Sequence, residues 1–141
     1  MADQDKPSGL LPLVRHMLVC EHAEATPSNP RRANIYALFA NVVVKNVAGA
    51  FPCRIGFSVY VMLTDCRRSG TGRIVVTEAS SGEVCYNGIP FQVVLSSDPL
   101  EVYGLVFRIA DCVIPRAGLY WIEFEFNGVP IGQEPILVKV R

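Results

Sequence analysis

His16, Cys20 and His22 come nearest, in type and spacing, to a metal site in this 141-residue chain. The three share parity, so on a β-strand all three side chains point to one face. Cys20 and His22, at i and i+2, lie about 6.7 Å apart along a strand, within reach of one zinc ion. His16 stands four residues before Cys20, roughly 13 Å away by the same rise, too far to share that ion without a bulge. Zinc sites need three or four ligands at set distances. These residues are therefore read as ordinary strand positions with one buried thiol, and no metal site is expected.

Other reactive groups lead to the same reading. Glu123 and Glu125 are carboxylates on one strand face, and glycosidases work with paired carboxylates. Two solvent-facing glutamates are also what an amphipathic strand ordinarily shows. For nucleophilic catalysis, His16 or His22 would have to activate a cysteine such as Cys20 or Cys85, which no spacing demands, and no Gly-x-Ser-x-Gly elbow occurs. Gly70-Thr71-Gly72 is followed by neither a Lys-Ser/Thr pair nor a helix, so it reads as a turn rather than a phosphate loop. No catalytic residue and no cofactor is expected.

A binding surface has more support. Trp121 lies on the nominally polar face of its strand with Leu119 beside it, and exposed aromatics anchor partners. Tyr60 and Met62 mark a second apolar face that self-association would bury. The positive mean hydropathy leaves limited polar cover for a small all-β chain.

The elements that must position these residues are strands. From Tyr120 the chain alternates Tyr120, Ile122, Phe124 and Phe126 against Trp121, Glu123 and Glu125, and Asn127-Gly128 follows at once. Period-2 alternation puts one face on a core, and Asn-Gly is a strong hairpin signal. Phe57, Val59, Val61 and Leu63 alternate with Ser58, Tyr60 and Met62, leaving both faces largely apolar, as in a central strand. Further strands are expected over His16–Ala23, from Asn34 to Ala40 or beyond, and over Arg73–Glu78 as the hairpin partner of the central strand. Tyr103–Val113 and Ile136–Val140 complete the set. Turns are expected at Thr26–Pro30, Ser69–Gly72, Ser80–Gly82, Asn87-Gly88, Ser96–Pro99 and Pro115–Gly118. Residues 34–47 carry frequent Ala, but Val42-Val43-Val44 argues against a helix. The fold class is all-β, an immunoglobulin-like β-sandwich of about eight or nine mostly antiparallel strands. In Pro115-x-x-Gly118-x-Tyr120 the tyrosine hydroxyl is placed to bond back to the turn and fix a corner.

Length and composition set the outer limits. The chain is one domain, with a polar tail over 1–13 expected to be disordered and a single domain over 14–141. Half the residues are apolar, and Lys+Arg equals Asp+Glu at 13 each. That balance excludes nucleic acid and anionic membrane as main partners, since both select clustered basic residues. Arg31-Arg32 and Arg67-Arg68 are solvated loop charges. An acidic start (Asp3, Asp5) and a short, proline-broken apolar piece at 10–14 do not look like a secretory signal. The longest apolar stretch, Ile35 to Val44, is about ten residues and too short for a membrane helix. Five scattered cysteines without a Cys-x-x-Cys pair suit a reducing, cytoplasmic setting.

Several residues together resemble a known set. Asn34-Ile35 with Phe39, then Phe51-Pro52, Pro115-x-x-Gly118-x-Tyr120, Asn127-Gly128 and Pro135 resemble an uncharacterised bacterial family of small β-sandwich proteins, grouped as a domain of unknown function. The resemblance spans about residues 15–141, with a longer loop at 24–33. It implies a bacterial β-sandwich and supplies no activity or catalytic residue. Three functions follow in order: a protein-interaction or assembly module, through a protein partner or self-association; a small-ligand binding sandwich, for ligands such as carbohydrate, with Trp121 as platform; and an enzyme using a histidine–cysteine pair.

Overall fold

The structure, a computed structural model, describes residues 11–26, 29–94, 98 and 100–141. Strands dominate: β1 (Leu13–Thr26), β2 (Asn29–Leu38), β3 (Asn41–Val44), β4 (Cys53–Thr64), β5 (Gly70–Glu78), β6 (Val84–Asn87), β7 (Phe91–Val93), β8 (Tyr103–Ile114), β9 (Gly118–Phe126) and β10 (Val129–Val140). One sheet has the order β2-β1-β4-β8, the other β3-β10-β9-β5-β6, with β7 also on β5. Pairing is antiparallel except between β3 and β10. The all-β reading holds, with ten strands among the described residues rather than eight or nine.

The two alternating segments supply the core between the sheets. On β9, Tyr120, Ile122, Phe124 and Phe126 are fully buried. On β4, Phe57, Val59, Val61 and Leu63 face them, joined by Met17, Val19, Leu105, Ile109, Ile74 and Val76. Fully burying each such aliphatic or Phe side chain stabilises the fold by roughly 1.5–3 kcal/mol. Phe107 of β8 packs on the ring of Phe124, centroids 5.7 Å apart.

The turns around β9 behave as their residues dictate. Asn127 (φ 51°) and Gly128 (φ 80°) are both left-handed and close the β9–β10 hairpin. Before β9, the Tyr120 hydroxyl donates to the Arg116 carbonyl at 2.6 Å and accepts from the Arg116 N–H at 3.3 Å. This is the tyrosine corner expected from Pro115–Tyr120.

Other expectations give way to longer-range pairing. Arg73–Glu78 is not the hairpin partner of β4; it lies in the opposite sheet, paired with β9. Ser69–Gly72 is not simply a turn, because β5 already begins at Gly70. Gly72 is needed there, since a Cβ would sit 2.7 Å from the Phe124 ring. Asn87-Gly88 does not join two paired strands. β6 and β7 both pair with β5, so 88–90 interrupts a single edge of that strand. Of the expected Thr26–Pro30 loop, 27 and 28 lie outside the described residues and the rest is strand, with Thr26 ending β1 and β2 starting at Asn29. Residues 1–10 of the expected tail, and 96, 97 and 99 of the Ser96–Pro99 turn, lie outside the described residues; Pro12 is buried and Leu13 opens β1.

One feature of the four-stranded sheet has no counterpart in the sequence reading. Cys20 is in register with both Ser58 of β4 and Leu38 of β2, and pairing with β4 stops there. Residues 21–26 and β2 continue as an arm that folds over the outer face of the sheet. Ala33 and Ile35 of the arm pack with Tyr60, Met62 and Val106 around a second small core of Cys20, Ala23 and Tyr60. Arg108 Nη2 donates to the Ala23 carbonyl at 3.4 Å, fastening the arm to β8.

Candidate functional site

The arm encloses a cleft of about 480 Å³ against the outer sheet face, lined by His16, Leu18, Arg32, Ala33, Asn34, Ile35, Tyr60 and Met62. β1 and β4 supply its floor, because Leu18 and Tyr60 stand opposite each other and His16 stands opposite Met62. β2 supplies its roof. The walls are apolar, with His16, Arg32 and Asn34 adding polar groups, the composition usual for binding sites.

Tyr60 is the informative member. It is 5% exposed, and its hydroxyl is sealed from solvent without a hydrogen-bond partner. Burial pushes its phenol pKa up. A buried hydroxyl left unpaired costs about 1–3 kcal/mol, so the closed arm is held down by apolar packing in spite of it. The Tyr60 and Met62 face is thus largely covered by the chain's own arm.

Beyond the cleft the arm carries apolar side chains into solvent. Tyr36 is 50% and Leu38 61% exposed. Between them Ala37 takes a left-handed conformation (φ 57°), strained for a residue with a Cβ. Leu38 also lines an adjoining depression of about 410 Å³ with Leu18, Phe39, Ala40 and Pro135. β2 is an edge strand, so its outer side lacks a ladder partner among the described residues.

The residues singled out from sequence are dispersed. Cys20 is fully buried, its thiol donating to the Ser58 carbonyl at 3.6 Å. His22 stacks on Tyr36 and meets Glu24 at 3.0 Å, while His16 lines the cleft. Among the described residues, no three His, Cys, Asp or Glu side chains are grouped as metal ligands. Glu125 is tied to Arg73 at 3.0 Å across the β5–β9 pair. Leu119 is 38% exposed, whereas Trp121 is half-buried between Thr77 and Pro135, its register partners.

Two clusters went unnoticed in the sequence. The buried Glu78 carboxylate receives Ser81 Oγ at 2.6 Å and Arg116 Nη1 at 2.6 and 2.7 Å. These bonds, the Ser81 hydroxyl first and then Arg116, hold its pKa below the usual carboxylate range. The alternation Ile74, Val76, Glu78 was the available signal, since it aims the carboxylate inward, where it requires partners. The second cluster is the meeting of the Cys85 and Cys112 thiols inside the sandwich, for which no local spacing gives a cue.

No protein-family model matches the chain, and no curated protein matches it. Among solved structures, a β-glucosidase from Listeria innocua in complex with isofagomine is similar at 9% identity and a TM-score of 0.44, over 88% of this chain and 16% of its own. The chain therefore spans a small fraction of that protein's length, and a likeness this slight carries no argument about function. Among the described residues no helix is long and apolar enough to cross a membrane.

Proposed function

We propose that the protein is a non-enzymatic assembly module that pairs with a second copy of itself through β2 and the arm. The observation that carries this is the apolar end of an edge strand. Ala33–Leu38 contains no charged residue, and Tyr36 and Leu38 stand in solvent. Natural edge strands are usually blunted by lysine, proline or a covering element. In the β2 sequence, proline and charge occur only in the first half, at Pro30, Arg31 and Arg32. Strain at Ala37, between the two exposed apolar residues, fits a functional segment, since such backbone outliers cluster at functional sites. Pairing β2 with a second β2 about a twofold axis would join two four-stranded sheets edge to edge.

The surface favoured here differs from the Leu119–Trp121 face, where Trp121 is half covered. Light scattering on the wild type and on Leu38→Lys and Trp121→Ala separates the two. Dimeric wild type and Trp121→Ala with a monomeric, folded Leu38→Lys supports the arm. Dissociation by Trp121→Ala instead moves the interface to β9, and a monomeric wild type at all concentrations overturns self-assembly.

The cleft favours a second reading, small-ligand binding, because His16, Arg32 and Asn34 set a few polar groups among apolar walls. In architecture the two facing sheets and the Tyr120 corner support an immunoglobulin-like sandwich. Five free thiols support a cytoplasmic setting.

A further inference from the structure

We propose that Cys85 and Cys112 form a thiol pair that a low-molecular-weight disulfide oxidises to a bond joining the two sheets. Cys85 lies on β6, an edge strand of the second sheet, and Cys112 on β8, an edge strand of the first. Stacked sheets ordinarily stand about 10 Å apart. β6 and β8 converge further, with Cα atoms of the two strands approaching within 8 Å. Disulfides span Cα separations of about 4.4–6.8 Å, and the convergence of β6 and β8 is what brings thiols on the two sheets toward that range. Both cysteines belong to the same apolar cluster and both are free. Their side chains hydrogen-bond one another, and Cys85 Sγ also donates to the Val76 carbonyl at 3.5 Å.

The surroundings divide the chemistry between them. Cys85 is half-buried at the sheet edge, while Cys112 is fully buried. The bond from Cys112 lowers the Cys85 pKa, and the same bond, with burial, raises that of Cys112. Cys85, the thiol an oxidant reaches at the sheet edge, is the attacking thiolate, and Cys112, sealed in the core, is the resolving thiol. With oxidised glutathione as the oxidant, the Cys85 thiolate attacks one sulfur of the glutathione disulfide and expels one glutathione thiolate. Cys112 gives its proton to that thiolate and attacks Cys85 Sγ. The second glutathione thiolate leaves and takes up the proton that Cys85 had lost. Two protein thiols are oxidised and one disulfide is reduced to two thiols.

The test is to incubate the reduced full chain with oxidised glutathione and to follow intact mass, non-reducing peptide mapping and thermal unfolding. The expected product loses two hydrogens, links the peptides bearing Cys85 and Cys112, and melts about 10 °C higher, from the loop closed between them. Cys53→Ser keeps that product, because Cys53 takes no part in the Cys85–Cys112 bond. Cys85→Ser and Cys112→Ala, each checked by circular dichroism, lose it. A glutathione adduct that persists on wild-type Cys85, a Cys53–Cys112 link, or thiols unchanged at every oxidant ratio would overturn the proposal.

Discussion

Tyr60→Phe removes one oxygen and should stabilise the protein. The hydroxyl lies beneath the arm, unpaired, in a side chain that is 5% exposed. Leaving such a group unsatisfied costs about 1–3 kcal/mol. Removing it forfeits the dispersion contacts of one atom, about 0.1–0.2 kcal/mol per neighbour. The net gain is about 1 kcal/mol. A chain of 141 residues lies between the size classes for which that energy shifts Tm by about 4–8 °C and about 2–4 °C. The expected rise is thus about 3–5 °C, with a higher urea midpoint and an unchanged m-value. Wild type and variant must be compared at equal protein concentration, because self-association makes Tm concentration-dependent. A lowered midpoint would show that the hydroxyl has a hydrogen-bond partner and would refute the reasoning.

The remaining predictions concern the corner, the core and the arm. Glu78 is held below its ordinary pKa, so the unfolded chain binds the extra proton. Its stabilisation is present above the unfolded value of about 4.3 and is lost as pH falls through the folded value. Urea midpoints between pH 7 and pH 3 should fall more steeply for wild type than for Glu78→Gln. Gly72→Ala forces a Cβ against the buried Phe124 ring at 2.7 Å and should cost about 1–3 kcal/mol in chemical denaturation. Ala37→Gly relieves a left-handed alanine. The relief of about 1–2 kcal/mol is offset by about 0.4–1 kcal/mol of added unfolded-state entropy. A stability gain of up to about 1.6 kcal/mol follows, and a loss would contradict the φ value.

What was legible in the sequence was what neighbouring residues decide. The period-2 pattern of Tyr120–Phe126 determines which side chains enter the core, and Asn127-Gly128 supplies the two left-handed residues its turn requires. Pro115–Tyr120 placed the corner because hydroxyl and acceptor lie four residues apart. The arm was not legible, because the exchange of partners at Cys20 depends on where β4 and β2 run, not on residues beside Cys20. Asn87-Gly88 misled for a related reason. The same dipeptide suits a hairpin or a kink, and pairing of both flanks with β5 decides between them. Cys85 and Cys112 meet only because two sheets converge. The cleft likewise draws its residues from β1, β2 and β4, which no spacing relates.

Hydrogen exchange across a range of protein concentrations tests the assembly claim most directly. Protection of the Ala33–Leu38 amides that rises with concentration, while the β9 amides remain unchanged, is the result the account predicts. Exchange in Ala33–Leu38 that is fast and independent of concentration would contradict it.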